Sequence, residues 1–312
     1  MTAKKILVTL FVTLIALTGS SAAAGGRLSV FVSILPQKYF AEQIGGDRVT
    51  VSALVEKGQD PHTFEPRPAQ MAALAEAAAY LSIGMPFEEA LLPKLLQLNP
   101  GLRLFESDAG VERIMPEEVH HHEDAAQSRE HHDEEEHDHE AIHDDHEHHH
   151  DGADPHVWNA PREAKIIASN MLRTLTELDP EGADYYSANF AALSSRLDAM
   201  DDEFKTLFRG KEGTAFLVFH PGWGYLARQY GLREVAIEVD GKEPKASDMA
   251  CIVSDAKERG VRILFIAPQF SRRSAETVAR AVGASVEVAD PLAEEWEANL
   301  RRVAQAIADA AR

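Results

Sequence analysis

Short apolar runs alternate with helix-period stretches through both halves of this chain, and that alternation restricts it to an α/β fold built on parallel sheets. In the first half the strand-like runs are 28–34, 49–55, 80–83 and 102–105, with helix-like 69–79 and 87–98 between them. The second half repeats the pattern with runs at 215–219, 234–238, 261–267 and 284–289. Helix-like 223–230, 247–259, 273–282 and 291–311 separate and follow them. Between the halves, 161–178 and 182–208 read as two helices split by Asp179-Pro180. The second would be about 39 Å long at 1.5 Å per residue. Tyr186, Phe190, Leu193, Leu197 and Met200 form one apolar stripe along it, the ordinary signature of packing. A helix of that length also joins two lobes stiffly and limits hinge motion between them. The expected domains are therefore an N-terminal lobe over 25–180, a connecting helix over 181–209 and a C-terminal lobe over 210–312.

The first 24 residues stand apart. Lys4 and Lys5 precede the apolar run 6–17, which ends in Thr18-Gly19-Ser20-Ser21 and Ala22-Ala23-Ala24. Twelve residues are too few to span roughly 30 Å of hydrocarbon. The pattern is that of a secretory signal cut near Ala24. No cysteine follows it, so a lipid anchor of the bacterial lipoprotein kind is not expected, and the mature chain should reside in the periplasm without entering the membrane. Cys251 is the only cysteine, which excludes an intramolecular disulfide and a multi-cysteine zinc site.

The net charge of −20 makes nucleic acid an unfavourable partner. Most of that charge has one source. Residues 117–151 hold fifteen acids, one base (Arg129) and twelve histidines: His120, His121, His122, His131, His132, His137, His139, His143, His146, His148, His149 and His150. That stretch carries −14, leaving about −6 for all the rest. With so few large apolar side chains it cannot offset the ordering entropy of about 1–2 kcal/mol per residue, and it reads as a disordered, solvated insertion. Imidazoles and carboxylates at this density should bind divalent transition metals weakly, as an accessory.

Outside that stretch only His62, His156 and His220 remain, each beside a proline: Asp60-Pro61-His62, Asp154-Pro155-His156 and His220-Pro221. A lone histidine is usually a surface or satisfied core residue. Three at loop entrances stiffened by proline are better placed as ligands. Ligands of parallel sheets bind beyond the carboxyl ends of strands, where His220 and Asp290 both fall. A single site of three imidazoles and one carboxylate between two lobes follows as an expectation.

Six stretches carry a family resemblance: 59–66 (QDPHTFEP), 83–88 (IGMPFE), 154–158 (DPHVW), 219–225 (FHPGWGY), 237–238 with 241–244 (IE, GKEP) and 290–292 (DPL). In that order they resemble the zinc-uptake solute-binding proteins of bacterial ABC transporters, the ZnuA type within the TroA-like group that also serves manganese and iron. The resemblance implies two α/β lobes joined by a long helix, and it makes His62, His156 and His220 ligands of one zinc ion, with Asp290 as the fourth. It implies a monomeric, non-enzymatic carrier that hands Zn²⁺ to an ABC permease with its ATPase, and a zinc metallochaperone role. Manganese members place a carboxylate where this chain has His220, as harder Mn²⁺ prefers oxygen. Trp158 and Trp223 would shield the site or pack in the core. Glu238 and Glu243 would orient imidazoles or be ordinary strand and turn residues. Cys251, in a helix-like apolar stretch, reads as core. The alternatives are a manganese or iron carrier, a secreted zinc hydrolase and a zinc-binding adhesin. Against the hydrolase, no H-E-x-x-H helix motif occurs, the matches at 139–143 and 146–150 falling in the solvated insertion rather than in a helix-like stretch, and a fourth protein ligand would close the metal to substrate water.

Overall fold

A computed structural model describes residues 27–115, 152–238 and 245–311. The expected signal (1–24), the insertion 117–151 with its twelve histidines, and Glu243 lie outside the described residues. The first lobe runs β1 (Leu28–Val32), α1 (Leu35–Gly45), β2 (Val49–Ala53), α2 (Pro68–Ala75), β3 (Ala79–Ser82), α3 (Pro86–Leu98) and β4 (Arg103–Glu106). Then come α4 (Pro161–Leu178) and the long α5 (Ala183–Leu207). The second lobe runs β5 (Ala215–Val218), α6 (Gly224–Tyr230), β6 (Arg233–Ala236), α7 (Ala246–Glu258), β7 (Ile263–Ile266), α8 (Arg272–Val282), β8 (Ser285–Val288) and α9 (Trp296–Ala310). Each lobe is one four-stranded sheet, ordered β2-β1-β3-β4 and β6-β5-β7-β8. Every strand pair is parallel. This is the two-lobed α/β architecture expected from the alternation.

The continuous apolar runs exist because both sheet faces are covered. In β5, Phe216 and Val218 point into a large core shared with α4, α5 and α9, while Ala215 and Leu217 point into a smaller one with Ala275, Val278 and Ala279 of α8. That is the period of two that a strand imposes. The large core continues from Val30 and Phe40 of the first lobe through Trp158 to Trp296 of the second. Helix α5 buries Tyr186, Leu193, Leu197, Met200 and Phe204, which recur at helical spacing. Among the described residues, no helix is long and apolar enough to cross a membrane.

Three local readings change. Helix α1 carries no strong periodic signal; it forms because the buried Gln37 side chain accepts the Ser33 and Ile34 amides (2.9 and 3.2 Å), with Pro36 in the first turn. Helix α9 begins at Trp296, five residues after the expected Pro291, because Asp290 folds the chain into a turn: its Oδ1 accepts the Leu292 amide (3.0 Å) and its carbonyl the Ala293 amide (3.2 Å). Cys251 is exposed rather than core. The inner face of α7 is Met249, Ile252, Val253 and Ala256, and position 251 falls off that stripe.

Candidate metal centre

The three histidines outside the insertion converge where the carboxyl ends of the two sheets face each other. His62 lies in the loop after β2, its amide bonded to Asp60 Oδ1 at 3.0 Å in an Asx turn that Pro61 stiffens. His156 sits in the segment entering α4, its amide held by Asp154 Oδ1 at 2.9 Å. His220 directly follows the run that ends β5. Their Nε2 atoms form a triangle with edges of 3.1 Å (His62–His220), 3.3 Å (His156–His220) and 3.4 Å (His62–His156).

That triangle tests the donor set against a metal. Tetrahedral Zn²⁺ at Zn–N distances of about 2.0–2.1 Å requires nitrogens about 3.3–3.4 Å apart. All three edges match that requirement to within roughly 0.2 Å. Among the described residues these are the three side chains grouped closely enough to hold one ion.

Two of the rings are aimed by carboxylates. His156 Nδ1 lies 2.7 Å from Asp154 Oδ1, and His220 Nδ1 lies 2.5 Å from Glu238 Oε2. A carboxylate on Nδ1 keeps the proton there, so the Nε2 lone pair faces the ion and gains basicity. Burial alone would raise the Asp154 carboxyl, but the His156 imidazole and its bonds outweigh burial and hold it below its ordinary value. His62 remains exposed as a residue, yet desolvation first, then His156 and His220, push its pKa down to about 4. At neutral pH it is an uncharged donor. Two carboxylates behind the imidazoles supply charge that offsets a divalent cation.

The small cavity at the triangle is also lined by Asp60, Gln269, Phe270, Pro291 and Leu292. Phe270 stacks on His220 with ring centroids 5.5 Å apart. Trp158 packs edge-on against His156 at 5.4 Å, and its Nε1 donates to Pro291 O at 2.6 Å, so it serves both the site and the interface between lobes. Trp223 belongs to the core and does not line the cavity.

Asp290 is the expected ligand that the structure does not bring into the group. Its Oδ1 is occupied by the Leu292 amide at 3.0 Å and by Gln269 Nε2 at 3.4 Å, so the turn before α9 holds the carboxylate outside the triangle. The sequence reading also assigned no part to Asp154, although the aspartate two residues before His156 was a usable signal. Glu234 and Gln269 had no such signal, because only the fold brings β6 and the loop after β7 to this place.

The comparisons with known proteins agree in kind. The family model described as ZnuA, zinc-uptake complex component A periplasmic, matches residues 30–310. The high-affinity zinc uptake system protein ZnuA of Bacillus subtilis is 29% identical over 277 residues, covering 88% of this chain and 81% of that one. A crystal structure of ZnuA superposes with a TM-score of 0.77 at 38% identity, covering 92% of this chain and all of the other. The crystal structure of a ZnuA deletion mutant with zinc bound gives 0.77 at 39% identity, covering 91% and 98%.

Proposed function

Because the chain belongs to the family of periplasmic zinc-uptake complex component A proteins, we propose that it binds Zn²⁺ through Nε2 of His62, His156 and His220 and delivers it to an ABC permease and its ATPase for uptake. The observation that carries this reading is the nitrogen triangle of 3.1–3.4 Å with carboxylates behind two of its corners. A three-imidazole set suits borderline Zn²⁺ better than Mn²⁺, which prefers oxygen donors. The fourth position falls to water or to Asp290, and for Asp290 to serve, a carboxylate oxygen has to move toward the triangle.

The chain acts as a monomeric carrier and zinc metallochaperone, exported to the periplasm by a signal cut near Ala24. The twelve histidines of 117–151 bind further zinc weakly. A hydrolase needs a carboxylate free to activate a metal-bound water. Here Asp154 and Glu238 are engaged by imidazoles, and Asp60 by its own turn.

The test is metal competition with a chelator on the protein and on His220→Glu. The parent should hold one Zn²⁺ tightly and prefer it over Mn²⁺, and the variant should move the preference toward Mn²⁺. A variant with unchanged zinc selectivity would remove His220 from the ligand set.

A further inference from the structure

We infer that Glu234 is a positioning residue that fixes two corners of the triangle at once, by holding the His220 loop from one side and the carboxylate partner of His156 from the other. Glu234 lies on β6, touches none of the three histidines, and belongs to the second lobe, whereas Asp154 belongs to the first. The inference rests on the zinc reading above.

The geometry has two arms. Glu234 Oε1 accepts the amides of Gly222 (3.0 Å) and Trp223 (2.9 Å), the two that follow His220-Pro221. These amides lead into α6, where a helix leaves its first N–H groups without partners, so the carboxyl both satisfies them and fixes the loop that presents His220. The second arm runs through Gly224. A Cβ added there would lie 2.9 Å from Asp154 Oδ2 and 3.4 Å from Glu234 Oε2, so the two carboxyls face the same point from opposite lobes. Asp154 thus has its Oδ1 on His156 Nδ1, at 2.7 Å, and its Oδ2 beside Gly224, which Glu234 Oε2 also borders.

The charges are consistent with a close pair. Burial pushes Glu234 up to about 7, opposed by the two amides and reinforced by the negative Asp154, while Asp154 itself is held down by His156. Glycine at 224 leaves room for both carboxyls, whose oxygens border the same point. The three-histidine site is therefore braced across the lobes by groups that are not themselves ligands.

The experiment compares Glu234→Gln, Glu234→Asp, Glu234→Ala and Gly224→Ala, with Leu193→Ala in α5 as a core control of lowered stability. Zinc affinity is read by chelator competition. The proton positions on His156 and His220 are read from imidazole nitrogen shifts in the metal-free protein. Glu234→Gln keeps a neutral acceptor of the same length and should stay within about threefold of the parent. Glu234→Asp, one methylene short, together with Glu234→Ala and Gly224→Ala, should weaken zinc by roughly 10–100-fold, the range for groups that orient ligands. In Glu234→Ala the two rings should lose their single Nδ1–H form, and in Gly224→Ala the His156 ring should. Leu193→Ala should melt earlier with its zinc affinity unchanged.

Parent affinity in Glu234→Ala and Gly224→Ala overturns the inference and leaves the zinc reading intact. Equal weakening in Glu234→Gln and Glu234→Ala overturns the acceptor role. If Glu234→Ala does not fold, Glu234→Gln, Glu234→Asp and Gly224→Ala decide. A parent that binds no zinc overturns the functional reading instead, and the nitrogen shifts then decide the positioning role alone.

Discussion

At the scale of residues, Asp154 and Glu238 do what the histidines cannot do for themselves. An isolated imidazole distributes its proton between two nitrogens, and a ligand must keep it on the one that faces away from the ion. Asp154→Asn replaces the acceptor on His156 Nδ1 with an amide that is free to turn its NH₂ toward the ring. Zinc affinity should fall by roughly 10–100-fold while the fold persists, measured by competition and by circular dichroism. Parent affinity in that variant would show the 2.7 Å contact to be incidental. The three histidines were legible because a subtraction isolates them: twelve of fifteen lie in one segment, and each of the other three adjoins a proline. The orientation of Asp290 was less legible. Its position after a strand was read correctly, but which way a carboxylate turns depends on which amide reaches it first, here that of Leu292. Glu234 was illegible because a glutamate in an edge strand has no local pattern that reveals what faces it across a lobe boundary.

At the scale of elements, the sequence shows where strands and helices lie better than it shows the polar contacts that seat them. Strand positions were legible because runs covered on both faces are continuously apolar, whereas α1 depends on a single buried side chain, Gln37. The mounting of α3 is of the second kind. Glu88, in its first turn, accepts the Gly84 amide at 2.9 Å and the Ile83 amide at 3.1 Å, and it is bonded to Ser33 at the end of β1. Burial pushes this carboxyl up to about 7, against the pull of Ser33 and the two amides. Its folded value thus lies above its unfolded one, near 4.5. The stabilising contribution is fully present below pH 4.5, declines between 4.5 and 7 where the unfolded chain has lost the proton and the folded protein keeps it, and is gone above about 7. At about 1.4 kcal/mol per pH unit this amounts to ~3 kcal/mol across the window. Glu88→Gln, which cannot titrate, should flatten that part of the stability curve in denaturant melts between pH 4.5 and 7. A slope identical to the parent's would assign the pH dependence to other groups.

At the scale of the molecule, the lobes are tied directly as well as through α5. Trp296 Nε1 donates to Trp158 O at 2.9 Å, Asn159 Nδ2 to Gly222 O at 2.8 Å, and Tyr39 Oη to Glu297 at 2.6 Å. The roots of the insertion belong to the same framework. The Asp154 amide donates to Ile114 O at 2.8 Å, and Tyr225 Oη of α6 accepts the Ile114 amide (3.2 Å) and donates to Asp154 O (2.8 Å). Asp154, and with it His156, is therefore held by contacts that do not involve residues 116–151. Replacing those residues with about four of Gly and Ser should leave one tightly bound Zn²⁺ and abolish the additional weak binding, as counted by metal analysis after dialysis. Shortening a connection of 36 residues about ninefold should also raise the stability of the metal-free chain by about 2 kcal/mol, because closure entropy grows only with the logarithm of length. Removing most of the −20 charge should not lower the affinity of the remaining site by more than a few fold, since the charge opposing the ion comes from Asp154 and Glu238 at its edge. A folded deletion variant without tight zinc would place the binding site in the insertion and refute the three-histidine centre.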